Sequence, residues 1–232
     1  MPGIRSWMVG LLLVSPPAYG QENTVAVVLR GNFTTGSELF PDAESADPVA
    51  RAHSFTLNSI PGVGLEIRYT LPRTNVAVGL SADYLRAGNS LQIPGLPSSV
   101  PAEDGFLVIP VELTGYFLLP FSGSSFGVYM GGGVGGYFGR RIYRIADVEA
   151  QPLSQGQGFG IHVLGGVLFR ISGILALLGE MKFRDVQFES TTAFPLSQTI
   201  YNGIPVTLDR EPQVSIVHVD GIVFQIGIAL SW

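Results

Sequence analysis

"GIVFQIGIALSW", Gly221 to Trp232, has two unlike faces. Ile222, Phe224, Ile226, Ile228, Leu230 and Trp232 are all large and apolar. Between them stand Gly221, Val223, Gln225, Gly227, Ala229 and Ser231, mostly small or polar. A period of two is the mark of a β-strand whose faces meet different surroundings. A soluble strand usually keeps up such a face over a shorter run, and the ends of soluble chains fray. A strand that crosses a bilayer needs an apolar outer face for about 9–11 residues, with aromatics at the interfaces. The stretch fits that second requirement.

The other end of the chain points the same way. "MPGIRSWMVGLLLVSPPAYGQ" has one positive charge, Arg5, then an apolar run from Trp7 to Val14. Ala18 and Gly20 sit at the small-residue positions of a cleavage site before Gln21. Residues 1–20 therefore read as a secretory signal peptide, too short in its apolar run to span as a helix. Residues 21–232 then form one domain. The chain has no cysteine. That excludes a lipidated lipoprotein anchor and any disulfide framework.

Hydrophobic residues make up 46% of the chain, and mean hydropathy is +0.35. Yet no later stretch approaches the roughly 18 consecutive apolar residues of a spanning helix. An apolar average without an apolar block implies lipid contact through strands. Net charge is −5, and without Arg5 there remain 12 basic against 18 acidic residues. That balance argues against a nucleic-acid partner.

Alternation recurs along the chain. Val25, Val27, Leu29, Gly31 and Phe33 oppose Ala26, Val28, Arg30 and Asn32, followed by a polar stretch from Thr35 to Ser54. Phe55, Leu57, Val63, Leu65, Ile67 and Tyr69 form one face of a second segment, with Glu66 and Arg68 on the other. Val76, Val78, Leu80, Ala82 and Tyr84 oppose Ala77, Gly79, Ser81 and Asp83. Leu107, Ile109, Val111, Leu113 and Phe117 oppose Glu112, Thr114 and Tyr116. A fifth segment has Phe126, Val128, Met130, Val134 and Phe138, a sixth Phe159 to Ile171, and a seventh Leu175, Leu177, Met181 and Phe183. The stretch quoted first is the eighth.

Long and short connections alternate along this series, as short periplasmic turns and longer extracellular loops do. The second face holds Arg30, Glu66, Arg68, Asp83, Glu112, His162, Arg170, Glu180 and Lys182. Charges are costly in lipid, so that face must line an interior. The expected fold is all-β, an eight-stranded antiparallel up-and-down transmembrane β-barrel. Both termini are then expected in the periplasm and the long loops outside.

The pattern resembles the small outer-membrane β-barrel proteins of OmpA/OmpX type over nearly all of residues 21–232. Its sharpest element is the last strand, Phe224, Ile226, Ile228, Leu230 and Trp232. In such proteins this is the assembly signal that the barrel-assembly machinery reads. The resemblance therefore implies that machinery and outer-membrane lipid as partners. A peptidoglycan-binding domain beyond the last strand, and with it a cell-wall tether, is not expected. Trp232 would sit at the periplasmic interface, where an aromatic is suited by its apolar body and polar edge.

Eight strands enclose only enough room for side chains, so a wide pore is not expected. Three roles stand, in order: a structural or surface-interaction barrel, a narrow channel for a small or apolar solute, and a lipid-modifying barrel enzyme. His218 and Asp220 share parity and could form a base with its orienter, but no serine motif accompanies them. No catalytic residue is assigned and the chain is not read as an enzyme. "GGGVGG" (131–136) lies in no βαβ unit and reads as room for large side chains such as Tyr116. The loop acids have no EF-hand spacing, so no metal or cofactor is expected. "QTIYNGIPVTL" sets Asn202-Gly203 between β-prone runs, a type I′ hairpin signal. A hairpin with Tyr201, Asn202, Gly203 and Ile204 at its tip is expected to extend strands seven and eight as a surface contact element. Its extracellular partner is not identified.

The interior charges carry the last expectation. Counted up each strand, Arg30, Glu112, Glu180 and Lys182 fall near one middle height, with Asp83 slightly above. Charges in so narrow a space must pair. The expected arrangement is an ionic plug in which Arg30 and Lys182 bridge Glu112, Glu180 and Asp83. It would replace an apolar core and seal the lumen.

Overall fold

The computed structural model describes residues 25–91, 100–120 and 125–232. The leader expected at 1–20 lies outside the described residues. The strands are β1 (Val25–Phe40), β2 (Phe55–Thr70), β3 (Val76–Leu91), β4 (Ala102–Leu118), β5 (Phe126–Ile145), β6 (Val148–Glu149) and β7 (Gln151–Pro152). They continue with β8 (Gly156–Arg170), β9 (Leu175–Asp185), β10 (Gln187–Ala193), β11 (Gln198–Tyr201), β12 (Ile204–Thr207), β13 (Gln213–His218) and β14 (Ile222–Ser231).

Eight of them form the ring β1-β2-β3-β4-β5-β8-β9-β14, closed by pairing of β14 with β1. Every pair in the ring is antiparallel. Closure leaves no spanning edge with unpaired amides, the condition for strands in lipid. It runs to the final residue, with the Trp232 amide donating to the Val25 carbonyl at 3.0 Å.

The alternation read in the sequence sorts the faces. Leu29, Leu65, Leu80, Leu113, Val134, Val163 and Ile226 point outward and are half exposed or more. Arg30, Glu66, Asp83, Glu112, Glu180 and Lys182 point inward and are buried. Exposed apolar side chains on every strand of the ring form a belt that only an apolar solvent would favour. Phe33, Tyr84, Phe138 and Phe224 are among the exposed aromatics towards one end, and Tyr69, Phe117, Phe126 and Trp232 towards the other.

Parity fails in one place. Leu57 was expected to share the outward face of Val63, yet Leu57 is 1% exposed and Val63 60%. The inward phase shifts by one residue on β2 at Ser59, whose φ of 59° is left-handed. The neighbouring β1 shifts at the same level, burying both Thr34 and Ser37. Because both strands shift together, the register holds from Thr34↔Ile60 to Ser37↔Leu57. Leu57 and Ile60 are both apolar and stand on opposite parities, so the alternation along β2 does not mark the change.

The strands also run beyond the apolar belt. The polar stretch after Phe33 continues β1 to Phe40 before a short helix, α1 (Pro48–Ala52), capped by the Asp47 side chain. β10 and β13 pair with each other, and β13 pairs with β1, so they carry the wall upward from β9 and β14. The β8–β9 ladder ends at Ile161↔Asp185. Beyond it β10 lies on the inner face of β8. A Cβ on Gly156 would stand 2.3 Å from the Glu189 carbonyl oxygen.

The expected hairpin differs in place. Asn202 (φ 49°) and Gly203 (φ 81°) are both left-handed, as a type I′ turn requires. Tyr201 pairs with Ile204. However, β11 and β12 form a separate two-stranded sheet, and the extension of the wall is made by β10 and β13. Tyr201, Ile204 and Val206 pack down onto an apolar cluster that includes Val100, Ile145 and Phe194. Burial of that apolar side turns the hairpin into a cover for the loop end of the barrel.

Candidate functional site: a charged layer inside the barrel

Pairing register builds the site. Arg30 on β1 lies opposite Gly64 on β2, which lies opposite Asp83 on β3. The glycine leaves the space through which the guanidinium crosses to the carboxylate. A Cβ on Gly64 would stand 1.8 Å from Asp83 Oδ1 and 3.2 Å from Arg30 Nε. Gly79 does the same for Glu66, whose Oε1 would lie 2.3 Å from an added Cβ.

Arg30 donates from Nε and Nη2 to Asp83 Oδ1 at 3.1 and 2.9 Å, and from Nη1 to Glu66 Oε2 at 2.9 Å. Glu180 Oε2 is 3.9 Å from Arg30 Nη1. Arg68 donates to Glu66 Oε1 at 2.8 Å and to Glu180 Oε1 at 3.0 Å. Its guanidinium carbon lies 3.8 Å from the centre of the Tyr116 ring, a cation–π contact strengthened by desolvation. The Tyr129 hydroxyl donates to Glu180 Oε1 at 2.7 Å. Two guanidiniums thus hold three carboxylates, with two tyrosines closing the layer.

Lys182 stands apart from this group. Its Nζ donates to Glu112 Oε2, and Tyr137 donates to Glu112 Oε1 at 2.6 Å. The structure therefore brings Arg30, Asp83 and Glu180 together but pairs Lys182 with Glu112 separately. The expected bridges form, Arg30 reaching Asp83 and Glu180 and Lys182 reaching Glu112, but as two groups and not as one plug. Glu66 and Arg68, which were not expected in it, complete the Arg30 group. Strand tilt is the reason, because it shears residues of equal count to different heights.

A second correction concerns the core. The charged layer does not replace apolar packing but lies within it. Towards the loop end, Leu57, Ile60, Leu85, Phe106, Val108 and Phe188 belong to one buried cluster. Towards the turn end, Val28, Ala176, Leu178 and Ala229 form another, and Ala77, Tyr116, Tyr129 and Leu164 a third. The inward positions of Leu85, Phe106 and Val108 lie past the apolar belt on their strands. Their parity was legible, but their burial depended on β10 filling the space above them.

A further buried pair, Arg141 with Asp104, lies above the belt, and Arg141 Nη1 also donates to the Pro41 carbonyl at 3.0 Å. At the exposed rim, hydrogen bonds from Arg144 and then Arg140 hold the Glu149 carboxyl below its ordinary range. The three histidines form no catalytic set among the described residues. His218 packs against the Phe40 ring, with centroids 5.3 Å apart, and Asp220 is exposed. His162 Nε2 is bonded to the Thr114 hydroxyl at 2.8 Å, and His53 caps the end of α1.

A closed ring of eight antiparallel strands, apolar outside and ion-paired inside, defines a transmembrane β-barrel. No protein-family model and no curated protein matches the chain. Among solved structures it is similar to the outer membrane protein OprG from Pseudomonas aeruginosa, at 15% identity and a TM-score of 0.56, over 92% of this chain and 98% of that one. Neisserial surface protein A is similar at 11% identity and a TM-score of 0.44, over 90% and 97% of the two chains. Ail, the attachment invasion locus protein of Yersinia pestis, matches at 10% identity and 0.43, over 91% and 100%. The chain has the fold of the small eight-stranded outer-membrane β-barrel proteins.

Proposed function

We propose that the chain is an integral outer-membrane protein whose sealed barrel serves as a structural support for a folded extracellular head. The observation that carries this reading is the filling of the lumen. The charged layer of Arg30, Glu66, Arg68, Asp83 and Glu180 lies between apolar clusters on both sides. A barrel of this size has room for such side chains or one small ligand, not for an open aqueous channel. In this reading the termini and short turns face the periplasm, and α1, β6, β7 and the β11–β12 hairpin form the outer head. Phe224, Ile226, Ile228, Leu230 and Trp232 act in biogenesis as the signal for the barrel-assembly machinery, and the belt then holds outer-membrane lipid.

Purified protein in planar bilayers is expected to be electrically silent. Steady single-channel steps would overturn the sealed barrel and favour the second reading, a narrow channel for a small or apolar solute. That alternative draws on the place where the β8–β9 ladder ends and β10 turns inward, beside the 87% exposed Phe159.

The same reading makes the protein non-enzymatic. His218 is held by packing against Phe40 and its carbonyl accepts from Ser37 Oγ at 2.6 Å. Incubation with lipopolysaccharide is expected to release no fatty acid. Release that disappears in His218→Ala would refute this.

A further inference from the structure

Three arginines are buried among the described residues: Arg30, Arg141 and Arg184, at 2%, 2% and 5% exposure. A guanidinium offers Nε–H and Nη2–H as a parallel pair that matches the two oxygens of a carboxylate. Arg30 fills that edge with Asp83, and Arg141 fills it with Asp104. Arg184 does not. Its Nη2 donates to the Thr34 hydroxyl at 2.9 Å, and its Nε is buried with no partner. Among the described residues no carboxylate forms an ion pair with Arg184.

The surroundings lack donors' partners in the same way. His162 lies directly opposite Arg184 in the β8–β9 register. Its Nε2 is bonded to Thr114, while its Nδ1 is buried and unpartnered. Asn32, one inward position below Thr34 on β1, has a buried Nδ2 without an acceptor. Buried donors left unmatched cost free energy, so such a group calls for an acceptor.

We propose that the Nε–Nη2 edge of Arg184 is the binding site of one small, singly charged oxyanion of the carboxylate class. One oxygen accepts from Nε. The other takes Nη2 in place of, or shared with, the Thr34 hydroxyl. In the tautomer in which Thr114 donates to His162 Nε2, the ring proton sits at Nδ1 and adds a donor. Single charge follows from the neighbouring layer, where three carboxylates face two guanidiniums and repel a dianion.

The test uses the refolded full barrel in detergent micelles and ¹³C-formate as the probe, followed by NMR relaxation against a chloride background. Saturable broadening is expected, relieved by unlabelled formate and not by equal ionic strength of sodium sulfate. Arg184→Lys keeps the charge and loses the fork, and should weaken binding about tenfold, the loss of one charge-assisted hydrogen bond. Thr34→Val removes the competing hydroxyl and should strengthen binding. Formate that does not saturate, or that sulfate displaces equally well, would overturn the site. So would an unchanged affinity in Arg184→Lys. If that variant does not fold, the wild-type competition and Thr34→Val decide the question, with unchanged affinity in Thr34→Val counting against the proposal.

Discussion

Arg30→Ala should destabilise the barrel by about 3–5 kcal/mol, the effect of removing one partner from a buried ion pair. Arg30 contacts Asp83 and Glu66 at 2.9 Å, and all three side chains are almost fully buried. Without it, Arg68 alone faces three carboxylates, and at least one must take up a proton or draw water into the barrel. Arg86→Ala is the control. Arg86 lies 3.5 Å from Glu103 with a half-exposed side chain, and an exposed pair contributes about 0.2–1 kcal/mol. The measurement is the urea midpoint of the folded gel band in unboiled samples. Adding Asp83→Asn to Arg30→Ala should recover part of the loss by removing a stranded charge. Equal midpoints for Arg30→Ala and Arg86→Ala would show that the layer does not hold the barrel together.

A comparable loss is expected from the apolar part of the lumen. Phe188→Ala should cost about 3–5 kcal/mol, as truncation of a buried aromatic ring does. Phe188 is 2% exposed and meets Phe106 edge-on, with centroids 6.3 Å apart. Its ring occupies the space above Gly139, where an added Cβ would stand 2.3 Å from it. It thus anchors β10 to the inner face of the wall where β10 has no ladder to β8. Beyond the global loss, the variant should show faster proteolysis within residues 186–221, because β10 is held there by packing. Wild-type cleavage rates in Phe188→Ala would mean that the β10–β13 ladder suffices alone.

Much of this was legible in the sequence, for a physical reason. A bilayer imposes one face on every spanning strand, so Leu29, Leu80, Leu113, Val163 and Ile226 repeat at period two whatever their neighbours do. The excluded face then identifies the interior charges, and eight such segments with alternating connections define the barrel. The turn at Asn202-Gly203 was also local, since left-handed φ at two successive residues selects those residue types.

What parity could not supply was position along and across the lumen. Strand tilt and register set Arg30 beside Asp83 over Gly64 and gave Lys182 and Glu112 a group of their own. The joint phase change at Thr34–Ser37 and Ile60–Leu57 was hidden because apolar residues stand on both parities there, while the pairing was preserved. The course of β10 depended on glycines at 139, 156 and 158, distant in sequence from Phe188 and Glu189. Arg184 shows the distinction most clearly. Its sequence position gives an inward-facing cation like Arg30. Only the packed structure determines that Arg30 finds Asp83 while Arg184 is left with a threonine, because a charge's partner is set by the three-dimensional distance between strands.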